Sequence, residues 1–415
     1  MMKKQVLLSL IFGLFALGCI SKSWAQHPKA PLAIGLSTEN KTDELTLTIQ
    51  TIKPIKIKWG EVEKDYTPEQ VAEAGGELSG TTSTGRIVIY YFDKDAITSL
   101  SVAGMSLTRV DFSGISAISE FSAPDNKLTW IALEQCPNLT YLNLSRNKFE
   151  EMFGTYFKNL EDLRLDGCGL KSFNLQHCPN LRNFSIRDNE FTELDLSILE
   201  DLESIECSRN NLTGSIDFSV CPKLKTIKAK GNQLTNINIS GLSSLVKLEV
   251  DGNELLEVKA KDNSSLAIVD LTNNKMDACA LDDLYRALPK KAQKITVGKD
   301  LLVKNNPGAK TAKSSLAEEN NWVIDQKGDA TGCEKALGEL PTSSAPYAFA
   351  YEGKIWVVTP ASGYAATLYT LEGKRLATQS LPYGTVSLSV ALASGNYLVV
   401  VEAEGKEPVT IKVTL

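Results

Sequence analysis

The sequence predicts a mainly β fold: a solenoid of nine repeated units, closed by a small β N-cap and a helical C-cap and followed by a C-terminal β-sandwich. Three observations lead to this prediction. Apolar residues recur every 21–22 residues through the middle of the chain, which is typical of stacked repeats. An asparagine recurs with the same period. The segments on either side alternate apolar and polar residues, as half-buried strands do.

The repeated units occupy residues 97–276 and follow the pattern L-x-x-L-x-L-x-x-N-x-L. Seven of the eight intervals between units are 21 residues, and the interval from Leu202 to Leu224 is 22. Each unit is long enough for one short strand of a parallel sheet, and a second apolar stretch in each unit favours an extended return segment. The units begin at Ile97, Ile118, Leu139, Leu160, Leu181, Leu202, Leu224, Leu245 and Leu266.

The ninth position of the unit is almost always asparagine. An amide that points into a buried corner bonds the main-chain groups that a turn leaves unpaired. The column therefore predicts an internal hydrogen-bond ladder. It consists of Asn126, Asn147, Asn189, Asn210, Asn232, Asn253 and Asn274, with Met105 and Cys168 as the two exceptions.

The unit at 139–149 carries the motif of the leucine-rich repeat family nearly complete, and the resemblance covers roughly residues 97–306. The resemblance implies a solenoid whose parallel strands line one face. It also implies an internalin-like surface protein that binds another protein.

Both ends of an open solenoid need caps, because an uncovered sheet edge invites pairing with other chains. Residues 26–96 contain several alternating stretches and predict a β-rich N-cap. Residues 277–335 predict the C-terminal cap. They open with an amphipathic helix over 277–288, followed by the alternating triplet 295–297 and a helical stretch ending near Trp322.

The first 25 residues have the composition of a signal peptide. Two lysines precede an apolar run of about a dozen residues, which is too short to span a bilayer. Small residues before the bond between Ala25 and Gln26 predict cleavage there. The alternative is lipidation of Cys19, since residues 16–19 are similar to a lipobox. No later segment is apolar enough to cross a membrane.

Cleavage at this position leaves seven cysteines, so at least one thiol stays free. Five of them fall in alternate repeat units, about 9–10 Å apart, which is too far for a disulfide. The remaining two, Cys279 and Cys333, are separated by 54 residues. We predict a disulfide between them that fastens the C-cap.

A proline- and serine-rich linker over 336–346 precedes five strand patterns in residues 347–415. Their order resembles the C-terminal sorting domain of type IX secretion cargo. The matching residues are Tyr369, Gly373, Lys374, Gly395, Tyr397 and Lys412. Thr370 stands where that family usually carries aspartate. The resemblance implies the secretion machinery as a partner and a location on the Gram-negative outer-membrane surface or in the medium. The alternative is a plain adhesive or stalk domain.

The composition argues against several function classes. A net charge of −6 argues against nucleic acid as a partner, since a nucleic-acid binder presents a basic face to the phosphates. Only two histidines occur, and there is no phosphate-binding loop, dinucleotide fingerprint, zinc spacing or nucleophile elbow. We therefore predict no catalytic residues, no metal and no cofactor.

The remaining function class is molecular recognition. The candidate surface consists of the side chains that point outward from the predicted sheet, which form columns of equivalent repeat positions. They contain one aromatic residue and several cations that are predicted to form a basic strip: Tyr141, Arg164, Arg187, Arg209, Lys228 and Lys230. Such a strip suits a protein partner of opposite polarity. The alternative is a solvated strand face whose charges serve solubility. A structural surface or biofilm component and a glycan-binding module also remain open as functions.

Overall fold

A computed structural model describes residues 31–113, 115–149 and 155–333, and, further along, 346–351, 354–359, 364–381, 384–388, 395–403 and 408–414. The predicted signal peptide, its cleavage site at Ala25 and Gln26, and nearly all of the predicted linker lie outside these residues. The chain divides into two compact units between Cys333 and Glu334.

The N-terminal part of the first unit contains a five-stranded antiparallel sheet and a short helix. The sheet has the order β4-β3-β6-β1-β8. Its strands are β1 (Leu32–Thr38), β3 (Ile55–Trp59), β4 (Val62–Tyr66), β6 (Arg86–Tyr91) and β8 (Leu107–Ser113). Helix α1 (Pro68–Glu73) begins at Thr67, whose side chain accepts a hydrogen bond from Gln70 N. Strand β8, which comes from the first repeat unit, pairs with β1 of the predicted N-cap.

The second sheet has twelve strands and runs through the whole solenoid. Nine parallel strands come from the nine repeat units, and the solenoid has about eight turns. They are β7 (Ile97–Ser101), β9 (Glu120–Ser122), β10 (Tyr141–Asn143), β11 (Asp162–Arg164), β12 (Asn183–Ser185), β13 (Ser204–Glu206), β15 (Thr226–Lys228), β17 (Lys247–Glu249) and β19 (Ile268–Asp270). Antiparallel strands β2 (Leu45–Thr51) and β5 (Glu77–Gly80) extend the sheet at one end, and parallel β20 (Leu301–Leu302) extends it at the other.

The central residue of each repeat strand points inward and stacks on the same position of the next strand. Leu142, for example, lies in register between Phe121 and Leu163, and all three are buried. One apolar core extends from Ile34 in the N-cap to Ile324 in the C-cap. The caps and the repeats are therefore one folded body.

The ladder asparagines hold each turn to the one before it. Nδ2 of Asn147 donates to Ala123 O of the preceding turn and to Leu144 O of its own turn, both at 2.8 Å. Its Oδ1 accepts from Leu128 N at 2.9 Å. The same three contacts recur at each of the other six asparagines. Asn306, in the C-cap, makes them too and adds a rung that the sequence analysis did not include.

The return segments of three later repeats are extended. A three-stranded parallel sheet forms behind the later repeats, from β14 (Thr213–Asp217), β16 (Gln233–Asn238) and β18 (Glu257–Lys259). A 3-10 turn occupies Leu175–His177.

The C-cap contains α2 (Ala278–Ala287), which begins at Asp277, and α3 (Ser315–Glu319). Cys279 and Cys333 are joined in a disulfide, with their Cα atoms 4.8 Å apart. Residues 295–297 are exposed and form no strand, and β20 (Leu301–Leu302) forms farther along.

The second unit has its own apolar core between two antiparallel sheets. One sheet contains β21 (Tyr347–Tyr351), β22 (Lys354–Thr359) and β25 (Gly384–Ser387). The other has the order β24-β23-β26-β27, with β23 (Tyr364–Thr370), β24 (Arg375–Leu381), β26 (Asn396–Ala403) and β27 (Val409–Thr414).

The one cysteine in the ladder column gives a direct test of the ladder. Cys168 donates its thiol to Leu144 O at 3.3 Å, but it offers no amide oxygen, and within the described residues Phe149 N has no acceptor. We expect Cys168→Asn to stabilise the protein by about 1 kcal/mol, because it pairs a buried amide. The change in free energy of unfolding is measured by urea denaturation.

The reciprocal variant Asn210→Cys is the matched control. It removes the acceptor of Phe191 N and should destabilise the protein by about 1–3 kcal/mol. A Cys168→Asn protein no more stable than the wild type would contradict this account of the ladder.

Candidate functional site

The candidate site is the solvent side of the repeat sheet, called here the sheet face. Because the strands pair in register, equivalent residues of successive repeats form straight rows. The row at the third repeat position is Ser99, Glu120, Tyr141, Asp162, Asn183, Ser204, Thr226, Lys247 and Ile268, and the row at the fifth is Ser101, Ser122, Asn143, Arg164, Ser185, Glu206, Lys228, Glu249 and Asp270. The first strands carry mainly hydroxyl and amide groups, and the later strands carry charges.

Tyr141 and Arg164 are brought together on adjacent strands. The Arg164 guanidinium lies 5.4 Å from the Tyr141 ring centroid. It also forms a two-bond ion pair with Asp162, at 3.0 and 3.2 Å. The aromatic ring and the arginine are thus held in fixed orientations at the middle of the sheet face.

The predicted basic strip is not a run of free positive charge. The five cations lie along the later strands, but each has a carboxylate partner on the same or a neighbouring turn. Arg164 pairs with Asp162, Arg187 and Arg209 with Asp188, Lys228 with Glu206, and Lys230 with Asp251. Sequence reasoning missed these pairs because the partners are mostly about one repeat apart in the chain.

The residue before each ladder asparagine lies in the left-handed region, where glycine has no steric cost. Gly231 has a φ of 61° and Gly252 one of 67°, but Arg146 and Arg209 each adopt 55°. A long side chain in this conformation costs about 1–2 kcal/mol. Both side chains form ion pairs from these positions, Arg146 with Asp125 and Arg209 with Asp188.

The acidic end of the sheet face contains one perturbed carboxyl group. Burial, with the Asp270 carboxylate nearby, raises the pKa of Asp251, and Lys230 acts in the opposite direction. Two exposed apolar residues, Val246 and Ile268, lie at the same end. The sequence analysis missed them, although both occupy positions that are polar in most other units.

The candidate residues of the second unit lie at one end of its four-stranded sheet. Tyr369, Leu398 and Lys412 are in register across β23, β26 and β27. The turn after β23 closes with Thr370 N donating to Lys374 O at 2.9 Å, and Gly373 takes a φ of 83°. Tyr397 is buried on β26, next to Gly395.

Reactive-thiol and metal chemistry find little support in the part of the chain that the structure describes. Its five free cysteines are all buried. Burial raises the pKa of Cys207 to about 12 and that of Cys168 to about 11. No group of three histidine, cysteine, aspartate or glutamate side chains is placed to hold a metal there, and no helix of those residues has the length and apolar composition needed to cross a bilayer.

Comparison with known proteins gives the repeat type. The family model described as Leucine Rich Repeat matches residues 138–160. No curated protein sequence matches the chain. The repeat match and the solenoid support a leucine-rich-repeat protein, and the fold is a leucine-rich-repeat solenoid.

Proteins of Leptospira interrogans and Listeria monocytogenes are among the similar solved structures. A leucine-rich-repeat protein of Leptospira interrogans matches with 22% identity and a TM-score of 0.40 over 52% of this chain and 62% of its own, so the match spans less than two thirds of that protein. The internalin InlF of Listeria monocytogenes matches with 18% identity and a TM-score of 0.32 over 51% of this chain and 74% of its own. InlP of the same organism matches with 14% identity and a TM-score of 0.33 over 78% of this chain and 90% of its own.

The raised thiol pKa values give a prediction for chemical labelling. At pH 8 a thiol with a pKa of about 12 is ionised in only about one molecule in ten thousand, and the thiolate is the reactive form. We expect iodoacetamide at pH 8 to leave the folded chain from residue 26 unlabelled. In urea, without reductant, it should add a label to each of the five free cysteines. Intact mass spectrometry counts the labels, and a native protein with one or more of them would contradict the buried placement.

Proposed function

We propose that this protein is exported to the cell surface or the medium and binds another protein through the sheet face, as an adhesin or surface antigen would. The observation that carries the proposal is the fixed arrangement of the face. Its rows are in strict register, and its charged side chains are held by ion pairs between and within turns. Side chains that are already ordered lose little entropy on binding, so such a face is suited to a macromolecular partner.

Export is supported by the disulfide between Cys279 and Cys333, since such bonds persist in oxidising compartments. We propose cleavage after Ala25 and delivery by type IX secretion to the Gram-negative outer-membrane surface or beyond. The alignment of Tyr369 with Lys412 and the turn at Gly373 support a sorting role for the second unit.

The export proposal predicts the ends of the native protein. Mass spectrometry of protein from intact cells and from culture medium should find Gln26 as the first residue and an end near residue 345, because a sorting domain is removed on delivery. An intact Leu415, or a lipid on Cys19, would contradict the proposed route.

The binding proposal predicts that partner capture depends on the sheet face. We expect the double variant Tyr141→Ala/Arg209→Gly to lose at least tenfold of the surface-protein partner retained by the immobilised chain from residue 26. Arg209→Gly relieves a left-handed backbone position, and circular dichroism of the double variant verifies that it is folded. Quantitative mass spectrometry of the retained proteins is the measurement.

Lys259→Ala, on rear strand β18, is the matched control and should retain the partner as the wild type does. Equal retention by all three proteins would contradict binding through the sheet face. Self-association of the purified chain at micromolar concentration, in place of capture, would instead favour a structural surface component.

A further inference from the structure

Positive charge is concentrated in one short segment of this acidic protein. Residues 290–313 contain seven lysines and a single acid, Asp300, in a chain whose net charge is −6. The lysines are Lys290, Lys291, Lys294, Lys299, Lys304, Lys310 and Lys313. The segment begins shortly after helix α2, contains β20 and ends just before helix α3.

The single acid is fully engaged by one of these lysines. Lys291 and Asp300 form an ion pair in which their side chains are only 14% and 3% exposed. Lys291 also lies 3.4 Å from the Trp322 ring centroid. The other six lysines are exposed, and none of them makes an ion pair within the described residues. They therefore differ from the cations of the sheet face, which are paired.

Part of this segment forms an exposed loop at the end of the sheet face. Residues 292–299 are all exposed. The loop is anchored at both ends next to Ile268, because Lys291 Nζ donates to Ala267 O, just before strand β19, at 2.7 Å, and Asp300 O accepts from Val269 N of that strand at 2.9 Å. The two ends of the loop therefore lie on either side of Ile268. We call residues 290–299 the cationic loop.

The cationic loop also carries apolar side chains that are exposed to solvent. Val297 is 87% exposed and Ile295 is 40% exposed. On the sheet face beside the loop, Ile268 is 41% and Val246 is 43% exposed. Apolar side chains exposed together and rimmed by charge are typical of interaction sites. Here the rim contains the unpaired Lys290, Lys294 and Lys299.

We infer that the cationic loop and the adjoining Val246 and Ile268 dock an acidic segment of a partner protein that also carries aliphatic side chains. Unpaired lysines recruit the carboxylates, and the four apolar side chains receive the aliphatic groups. This inference rests on the proposed function and names the chemistry of its partner.

The surrounding charges favour a protein segment over an anionic membrane. Asp270 is two residues from Ile268 on the same strand, and Glu249 lies opposite Asp270 on β17. A uniformly anionic bilayer would meet these carboxylates as well as the lysines. A protein segment, in contrast, places its carboxylates over the lysines of the loop and away from Asp270 and Glu249.

The test uses a fluorescein-labelled peptide of repeated Glu-Leu-Glu triplets as the probe and the chain from residue 26 as the receptor. We expect the peptide to bind, as measured by fluorescence anisotropy, with an affinity that falls as salt increases. Lys294→Glu/Lys299→Glu and Val297→Asp should each weaken binding at least tenfold. All three substituted residues are exposed and lie outside every helix and strand, and circular dichroism of each variant verifies its fold.

Lys259→Glu/Lys261→Glu is the matched control, since it makes the same charge change on the rear of the solenoid and should leave peptide binding unchanged. No binding of the peptide, or equal weakening by loop and control variants, would overturn the inference. So would loop-dependent binding to vesicles of phosphatidylglycerol and phosphatidylcholine without peptide binding. The proposed function fails separately, in the capture experiment with the Tyr141→Ala/Arg209→Gly variant, whose substitutions lie outside the cationic loop.

Discussion

The structure depends on the pairing of main-chain groups at the corner after each repeat strand. The turn at this corner leaves a buried N–H of one coil and carbonyls of two coils without strand partners, and an unpaired buried group costs about 1–3 kcal/mol. One asparagine amide satisfies all of them, as Asn147 does for Leu128 N, Ala123 O and Leu144 O. The ladder fixes the spacing of the coils, and the straight rows of the sheet face follow from it.

Register then determines the electrostatics of the sheet face. Residues one repeat apart lie side by side at the strand spacing of about 4.8 Å, so a cation and an acid at related repeat positions meet without any loop to position them. Arg209 meets Asp188 in this way, and Lys228 meets Glu206. Each exposed pair contributes at most about 1 kcal/mol to stability. Their larger effect is to order side chains that would otherwise be mobile.

Most of the solenoid could be predicted from the sequence because its contacts join equivalent positions of adjacent repeats. The period locates the strands, and the asparagine column locates the ladder. The period gives no information on distant partners: β8 pairs with β1, about 70–80 residues away in the chain, and residues 295–297 alternate like a strand but are exposed and form none. The charges of the candidate site were visible in the sequence, whereas their pairing depends on side-chain directions that the period does not give.

The position of the free lysines separates two explanations for them. Lysines are often placed at the ends of sheets, where they oppose pairing with another chain. Here the last strand, β20, is already covered, because Leu301 bridges to Ile324 and α3 lies in the same cap. The cationic loop is hydrogen-bonded instead to Ala267 and Val269, and strand β19 at this point is already paired on both sides, with β17 and with β20. Protection of the sheet edge therefore does not account for Lys294, Lys299 and the exposed Val297 between them, and contact with a partner does.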